Sequence, residues 1–168
     1  MKYEKKRKER KDNMTNKNKR GIKNNFSFFI FHLSLVLAFT AVASADFTRD
    51  GSTNIVTDNT TELQWQDDVN ISKNWTDAIA YCENNVSLGG HTDWRLPNIN
   101  ELYSVTDRGK RNPAMNSAFQ NVVSDLYWSS STVVGYEYLA WSVYFDDGDD
   151  GWSGKSGSYY VRCVRDGQ

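Results

Sequence analysis

Asp93-Trp94-Arg95-Leu96-Pro97-Asn98-Ile99-Asn100-Glu101-Leu102 is the most tightly specified stretch of this 168-residue chain. Pro97 holds Leu96 extended, because its ring disfavours helical geometry at the residue before it. Asn98 then stands where a helix N-cap is needed, and Glu101 follows at capping-box spacing. Ile99, Leu102 and Tyr103 supply the apolar face of the short helix that follows. Arg95 and Glu101 are placed to form a charge-assisted pair across the Pro97 turn. Loss of either partner would strand the other. Trp94, Arg95, Pro97 and Glu101 are therefore read as scaffold.

The matching segment lies at the other end of the chain, in the strand-like run Tyr159-Tyr160-Val161-Arg162-Cys163-Val164-Arg165. Cys163 has one possible partner within the chain, Cys82. Cys82 belongs to a helical pattern over Asn74–Cys82, in which Trp75, Ala78, Ile79 and Cys82 recur on one face. Asn84-Asn85 and Gly89-Gly90 end that helix. A bridge between the two cysteines would close a loop worth roughly 4.5 kcal/mol in the chain-entropy model.

The compartment favours that bridge. Residues 1–45 carry 11 Lys and Arg against 3 Asp and Glu, a net +8. The whole chain carries 20 and 21, so residues 46–168 carry 9 and 18, a net −9. The basic block ends at Lys23, and an uncharged, mostly apolar run of 17 residues follows from Phe26 to Val42. Ala43-Ser44-Ala45 closes it with a small-x-small cleavage pattern. Residues 1–45 thus have the layout of a secretory signal peptide with a long basic n-region. Met14 offers an alternative start to Met1, and an uncleaved anchor is the competing interpretation of the apolar run. Cleavage leaves one domain, residues 46–168, facing an oxidising compartment in which thiols pair. Membrane contact is then expected only through the leader during export.

Within that domain, Asn54–Asp58 and Glu62–Gln66 read as two short strands around a polar turn. Asp107–Asn121 reads as irregular. Leu126–Ser130, Tyr138–Phe145 and Tyr159–Arg165 read as strands, with Asp146–Gly151 as a hairpin connection. In the second of these, Leu139, Trp141, Val143 and Phe145 alternate with Ala140, Ser142 and Tyr144. Trp65, Trp128 and Trp141 are assigned to the core. The expected class is α+β, with two short helices, short antiparallel strands and one disulfide.

Four ordered motifs carry a family resemblance. They are Val56-Thr57-Asp58 with Leu63-Gln64-Trp65-Gln66, the Asp93–Leu102 run, Tyr127-Trp128-Ser129-Ser130, and Val161-Arg162-Cys163-Val164-Arg165. Residues 47–166 resemble the C-terminal domain family of the Legionella collagen-like protein, catalogued as domain of unknown function 1566. The resemblance implies a C-type-lectin-like fold, related to that of formylglycine-generating enzymes, in which the first helix is tied to the last strand by a disulfide. Cys82 and Cys163 match those places, and Trp94, Arg95, Pro97, Glu101, Trp128 and Arg162 match the structural motif. It also implies an exported bacterial protein, at the surface, secreted or periplasmic, with an adhesive role. The type member binds sulfated polysaccharides and trimerises through a collagen-like stalk. No Gly-x-y repeat occurs here, so that route to trimers is absent.

The chemistry on offer is narrow. His91 is the only histidine after residue 45, which leaves no set for a histidine-based triad or metal centre. The Arg95-Leu96-Pro97…Glu101 run is similar to one in formylglycine-generating enzymes, but those use an additional cysteine pair to bind copper. With two cysteines in all, the ligands are missing and no enzyme is expected. Asp146, Asp147, Asp149 and Asp150 are lesser candidates for Ca²⁺, without the spacing of an EF-hand. They serve equally as a solvated hairpin tip. No other cofactor is expected. Arg108, Lys110 and Arg111 form the one dense basic patch, the place for an anionic glycan. Trp152, in a Gly/Ser-rich stretch, is the candidate for stacking on a neutral sugar. The negative balance disfavours nucleic acid, and no nucleotide-binding loop occurs. The expected function is recognition of an extracellular glycan or protein. A structural or protein-interaction domain of the cell envelope is the alternative.

Overall fold

The computed structural model describes residues 47–167. The proposed leader, residues 1–45, and the expected new N-terminus at Asp46 lie outside them. Nine strands and two helices follow in order: β1 (Phe47–Asp50), β2 (Ile55–Asp58), β3 (Gln64–Gln66), β4 (Ile71–Lys73), α1 (Trp75–Asn85), α2 (Ile99–Ser104), β5 (Leu126–Val133), β6 (Tyr136–Tyr144), β7 (Asp149–Gly154), β8 (Tyr159–Val161) and β9 (Val164–Arg165). The domain is mostly β, with two short helices. β1, β4 and β7 went unread in the sequence because β1 and β4 are only four and three residues long and β7 carries two glycines beside paired aspartates.

Two sheets form, one ordered β1-β2-β3-β9 and the other β4-β8-β5-β6-β7. The first is antiparallel throughout. The second departs from the all-antiparallel expectation at one place, where β5 and β8 run parallel. The expected single strand Tyr159–Arg165 is in fact two strands in different sheets. The break falls at Arg162 and Cys163, both buried. The Arg162 guanidinium turns inward, donating to Gln66 O at 2.6 Å and Asp67 Oδ1 at 2.8 Å. It also donates to Asn121 O and lies between the rings of Phe119 and Tyr127. A buried cation needs such partners, and securing them pulls the chain out of one sheet and into the next.

The two cores follow from this crossing. One gathers Ala78, Cys82, Trp94, Leu96, Trp128, Ala140 and Cys163 beneath α1. The Cys82–Cys163 disulfide lies in it, spanning 5.5 Å between Cα atoms. The other gathers Val56, Trp65, Leu102, Tyr127, Val143, Phe145 and Val164 around α2. β5 and β6 thus bury side chains on both faces. That overturns the one-sided reading of β6: Ala140 and Ser142 are buried, and Leu139 and Trp141 are only half-buried. Trp141 is therefore not core.

Local chemistry sets the helices. Asn74 caps α1, accepting from the Asp77 N–H at 2.9 Å. In α2 the capping box forms in both directions. Asn98 Oδ1 accepts from Glu101 N at 3.0 Å, and Glu101 Oε2 accepts from Asn98 N at 2.8 Å. The β5–β6 ladder slips between Trp128 and Thr132, and the slipped serines hold α2 in place. Ser130 N donates to Pro97 O at 2.7 Å, and Ser131 Oγ accepts from Ile99 N at 3.0 Å.

Candidate functional site

The Asp93–Leu102 run and the last motif, Val161–Arg165, are adjacent in space. Arg95 and Val164 exchange backbone hydrogen bonds of 2.8 and 2.9 Å. Their neighbours lock the seam from both sides. Arg95 reaches Glu101 with two donors, each at 2.8 Å, and Asp166 at 2.9 Å. Arg165, almost fully buried, reaches back to Asp93 at 2.7 and 3.1 Å and also donates to Gln64. The Arg165 hydrogen bond holds the Asp93 carboxyl below the usual carboxylate range, and the Glu101 carboxylate raises Arg95 further. Trp94 and Pro97 are buried beside the seam, and Trp128 is buried in the core under α1. These pairings commit the seam's charged groups to one another, with Asp93 and Asp166 still exposed to solvent.

The basic patch and the acidic run, read as separate candidates, meet. Arg108 Nη2 lies 3.7 Å from Asp149, and Arg111 Nη1 lies 4.0 Å from Asp147. Lys110 pairs with Asp107 at 3.1 Å, and its hydrogen bond lowers the Asp107 pKa. The loop and the hairpin tip are also joined through the backbone: Asn112 N donates to Asp146 O and Ala114 N to Phe145 O. Gly148, at φ 84°, makes the turn, and an added Cβ would come within 3.3 Å of Ala114. The Asp107–Asn121 segment is less solvated than its composition implied, since Ala114, Met115 and Phe119 are core. The four aspartates do not converge. Asp147 and Asp149 turn to arginines, and among the described residues no three acidic, His or Cys side chains are grouped to hold a metal ion.

What remains open is a groove between α2 and the β6–β7 hairpin. Its volume is about 240 Å³, and Ile99, Asn100, Tyr103, Trp141 and Asp150 line it. Trp152 is on strand β7, not in a loop, and stands opposite Trp141 in the ladder. The two indoles meet edge to face, with centroids 5.7 Å apart and planes at 87°. Trp152 is 61% exposed, although a Trp usually contributes by burial. Arg108 lies over the Tyr103 ring at 5.0 Å. Asp150 is exposed and, among the described residues, pairs with no Lys or Arg. Of the groove lining, sequence reasoning named Asp150 as a candidate and missed Asn100, Tyr103 and Trp141, while its candidate Trp152 stands against Trp141. The signal for Tyr103 was present, since it shares the short helix with the capping box.

A second cavity, also about 240 Å³, is lined by Asp50, Thr53, Ile55, Thr57, Gln64, Gly89 and His91. Its polar groups are largely spoken for. Ser52 and Thr53 bond Asp50 and lower its pKa to about 2, and Gln64 accepts from Arg165.

Every strand but β1, the β5 slip that seats α2 and the Cys82–Cys163 staple fall within one family match, which covers residues 54–165 and is described as the Lcl C-terminal domain. The chain belongs to that family. No curated protein matches it. The Lcl C-terminal domain match includes the seam apart from Asp166, and the whole groove lining from Ile99 to Asp150. Among the described residues no helix is long and apolar enough to cross a membrane.

Proposed function

We propose that this Lcl C-terminal domain is an exported, non-enzymatic surface module of C-type-lectin-like type that recognises an extracellular glycan in adhesion. The observation that carries the reading is the groove between α2 and the β6–β7 hairpin. It places two aromatic rings, Tyr103 and Trp141, an amide and a carboxylate around an open cleft, with the exposed Trp152 indole standing against Trp141. Pockets of mostly apolar wall with a few placed polar groups are where ligands bind. The family supports a surface-type role. The donor set supports the non-enzymatic reading against one chemistry, since the chain's two thiols are joined in the disulfide. Copper–thiolate oxidation has no ligands to use.

The test is a glycan array probed with the exported protein, with and without Ca²⁺ and at two salt concentrations. Binding that disappears in Trp141→Ala supports the reading, and a blank array defeats it. One observation favours protein recognition as a second reading. Val134, Tyr136 and Tyr138 are exposed together where β5 turns into β6, with Val134 95% exposed. A blank array with a partner captured through that turn would move the function there.

A further inference from the structure

We infer that the groove takes the ring of an uncharged pyranoside and rejects sulfated or carboxylated glycans, with Asp150 setting the choice. The inference rests on the glycan reading above and narrows it to one class.

Three features of the groove converge. The first is aromatic geometry. Trp141 lines the groove together with Tyr103 of α2, and its cross-strand partner Trp152, exposed and set at 87° to it, extends that aromatic surface as an open corner. The C–H faces of a pyranose ring carry partial positive charge and pack against the negative faces of such rings, as cations do. The second is the polar complement. Ionised Asp150 only accepts hydrogen bonds, and the Asn100 amide both donates and accepts. Hydroxyl groups, each a donor and an acceptor, satisfy that pair without any charge.

The third feature is the charge balance, which separates uncharged from anionic sugars. The lining residues Ile99, Asn100, Tyr103, Trp141 and Asp150 include one carboxylate and no Lys or Arg. Arg108, which lies over the Tyr103 ring, also pairs with Asp149. Arg111 and Lys110 face Asp147 and Asp107. A sulfate entering the corner would meet an unpaired carboxylate, where recognition of a sulfate or phosphate needs clustered Arg or Lys. Residues 46–168 net −9, from 9 basic and 18 acidic residues, so the long-range field also repels polyanions. The volume of about 240 Å³ is below the range of roughly 300–1,000 Å³ usual for drug-sized ligands. It suits a single ring or chain end better than a long internal segment.

The probes are neutral polysaccharides (a mannan, a galactan and a chitin oligosaccharide) beside heparin. Binding to the exported protein is measured by biolayer interferometry at low and high salt. The expected result is binding to at least one neutral glycan, nearly unaffected by salt. It should weaken about tenfold or more in Trp152→Ala and Trp141→Ala, a loss equivalent to about 1.4 kcal/mol. Asp150→Asn should weaken neutral binding several-fold, and Asp150→Lys should admit heparin in a salt-sensitive manner. Melting curves of each variant separate lost binding from lost folding. Heparin binding by the unaltered protein that is abolished in Trp152→Ala would overturn the charge selection and leave the glycan reading standing. Neutral binding that survives both Trp substitutions would remove the groove as its site. Binding to neither class would defeat both inferences.

Discussion

The seam and the groove both draw on α2, the seam through Glu101 and the groove through Ile99, Asn100 and Tyr103, and they use their residues in opposite ways. At the seam, Asp93, Arg95, Glu101, Arg165 and Asp166 pair with one another, and in the interior Arg162 pairs with Asp67 through Nη1 while its Nε has no partner. At the groove, Trp152 and Asp150 remain exposed, with surface or charge that nothing in the domain covers. The motif-rich half resembles an active site in sequence and is occupied structurally. The motif-poor half carries the unspent contact surface. A saturated polar cluster stabilises, and an unsaturated one beside aromatic walls is free to bind.

Substitutions break this contrast in a graded order. The largest effect is expected from Cys82→Ser with Cys163→Ser, which releases an 81-residue loop. Denaturant titration should show a loss of about 4 kcal/mol. Arg162→Met comes next, at about 3 kcal/mol, because it removes the donor to Asp67, Gln66 and Asn121 inside the protein. Asp67 keeps Arg49 and the N–H groups of Gln120 and Asn121, which limits the damage. A stability change under 1 kcal/mol would show that the inward turn at Arg162 is incidental.

The smallest seam effect belongs to Asp93, whose side chain is half exposed. Asp93→Asn should cost up to about 1 kcal/mol at neutral pH, as solvent screens the pair. The sign with pH is fixed by the lowered pKa. Stability from the Arg165 pair is complete above the ordinary carboxylate value of about 4 and is lost as pH falls through the lower folded value. The variant should therefore lose stability less steeply than the parent below about pH 4. Parallel acid limbs would refute the pairing.

Legibility in the sequence followed the range of the interactions. The Asn98–Glu101 box could be read because capping is local. The Cys82–Cys163 bridge could be read because the chain offers no other partner. Arg162 looked like a strand residue, because its acceptors on Gln66, Asp67 and Asn121 are distant in sequence. Trp141 was assigned to the core because alternation implies one buried face, whereas β6 buries side chains on both. Asp149-Asp150-Gly151 looked like a turn, and the turn is instead made one step earlier at Gly148. The groove was hidden for the same reason, since its walls come from α2, β6 and β7.

The most direct measurement compares Arg95→Ala with Trp152→Ala in thermal melting and in glycan binding by the same preparations. Arg95→Ala removes both donors to Glu101 and the pair with Asp166. It should lose about 2 kcal/mol of stability and still bind below its melting temperature. Trp152→Ala should change stability by no more than about 0.5 kcal/mol and lose binding. Unchanged melting with lost binding in Arg95→Ala, or a large stability loss with intact binding in Trp152→Ala, would contradict the division between seam and groove.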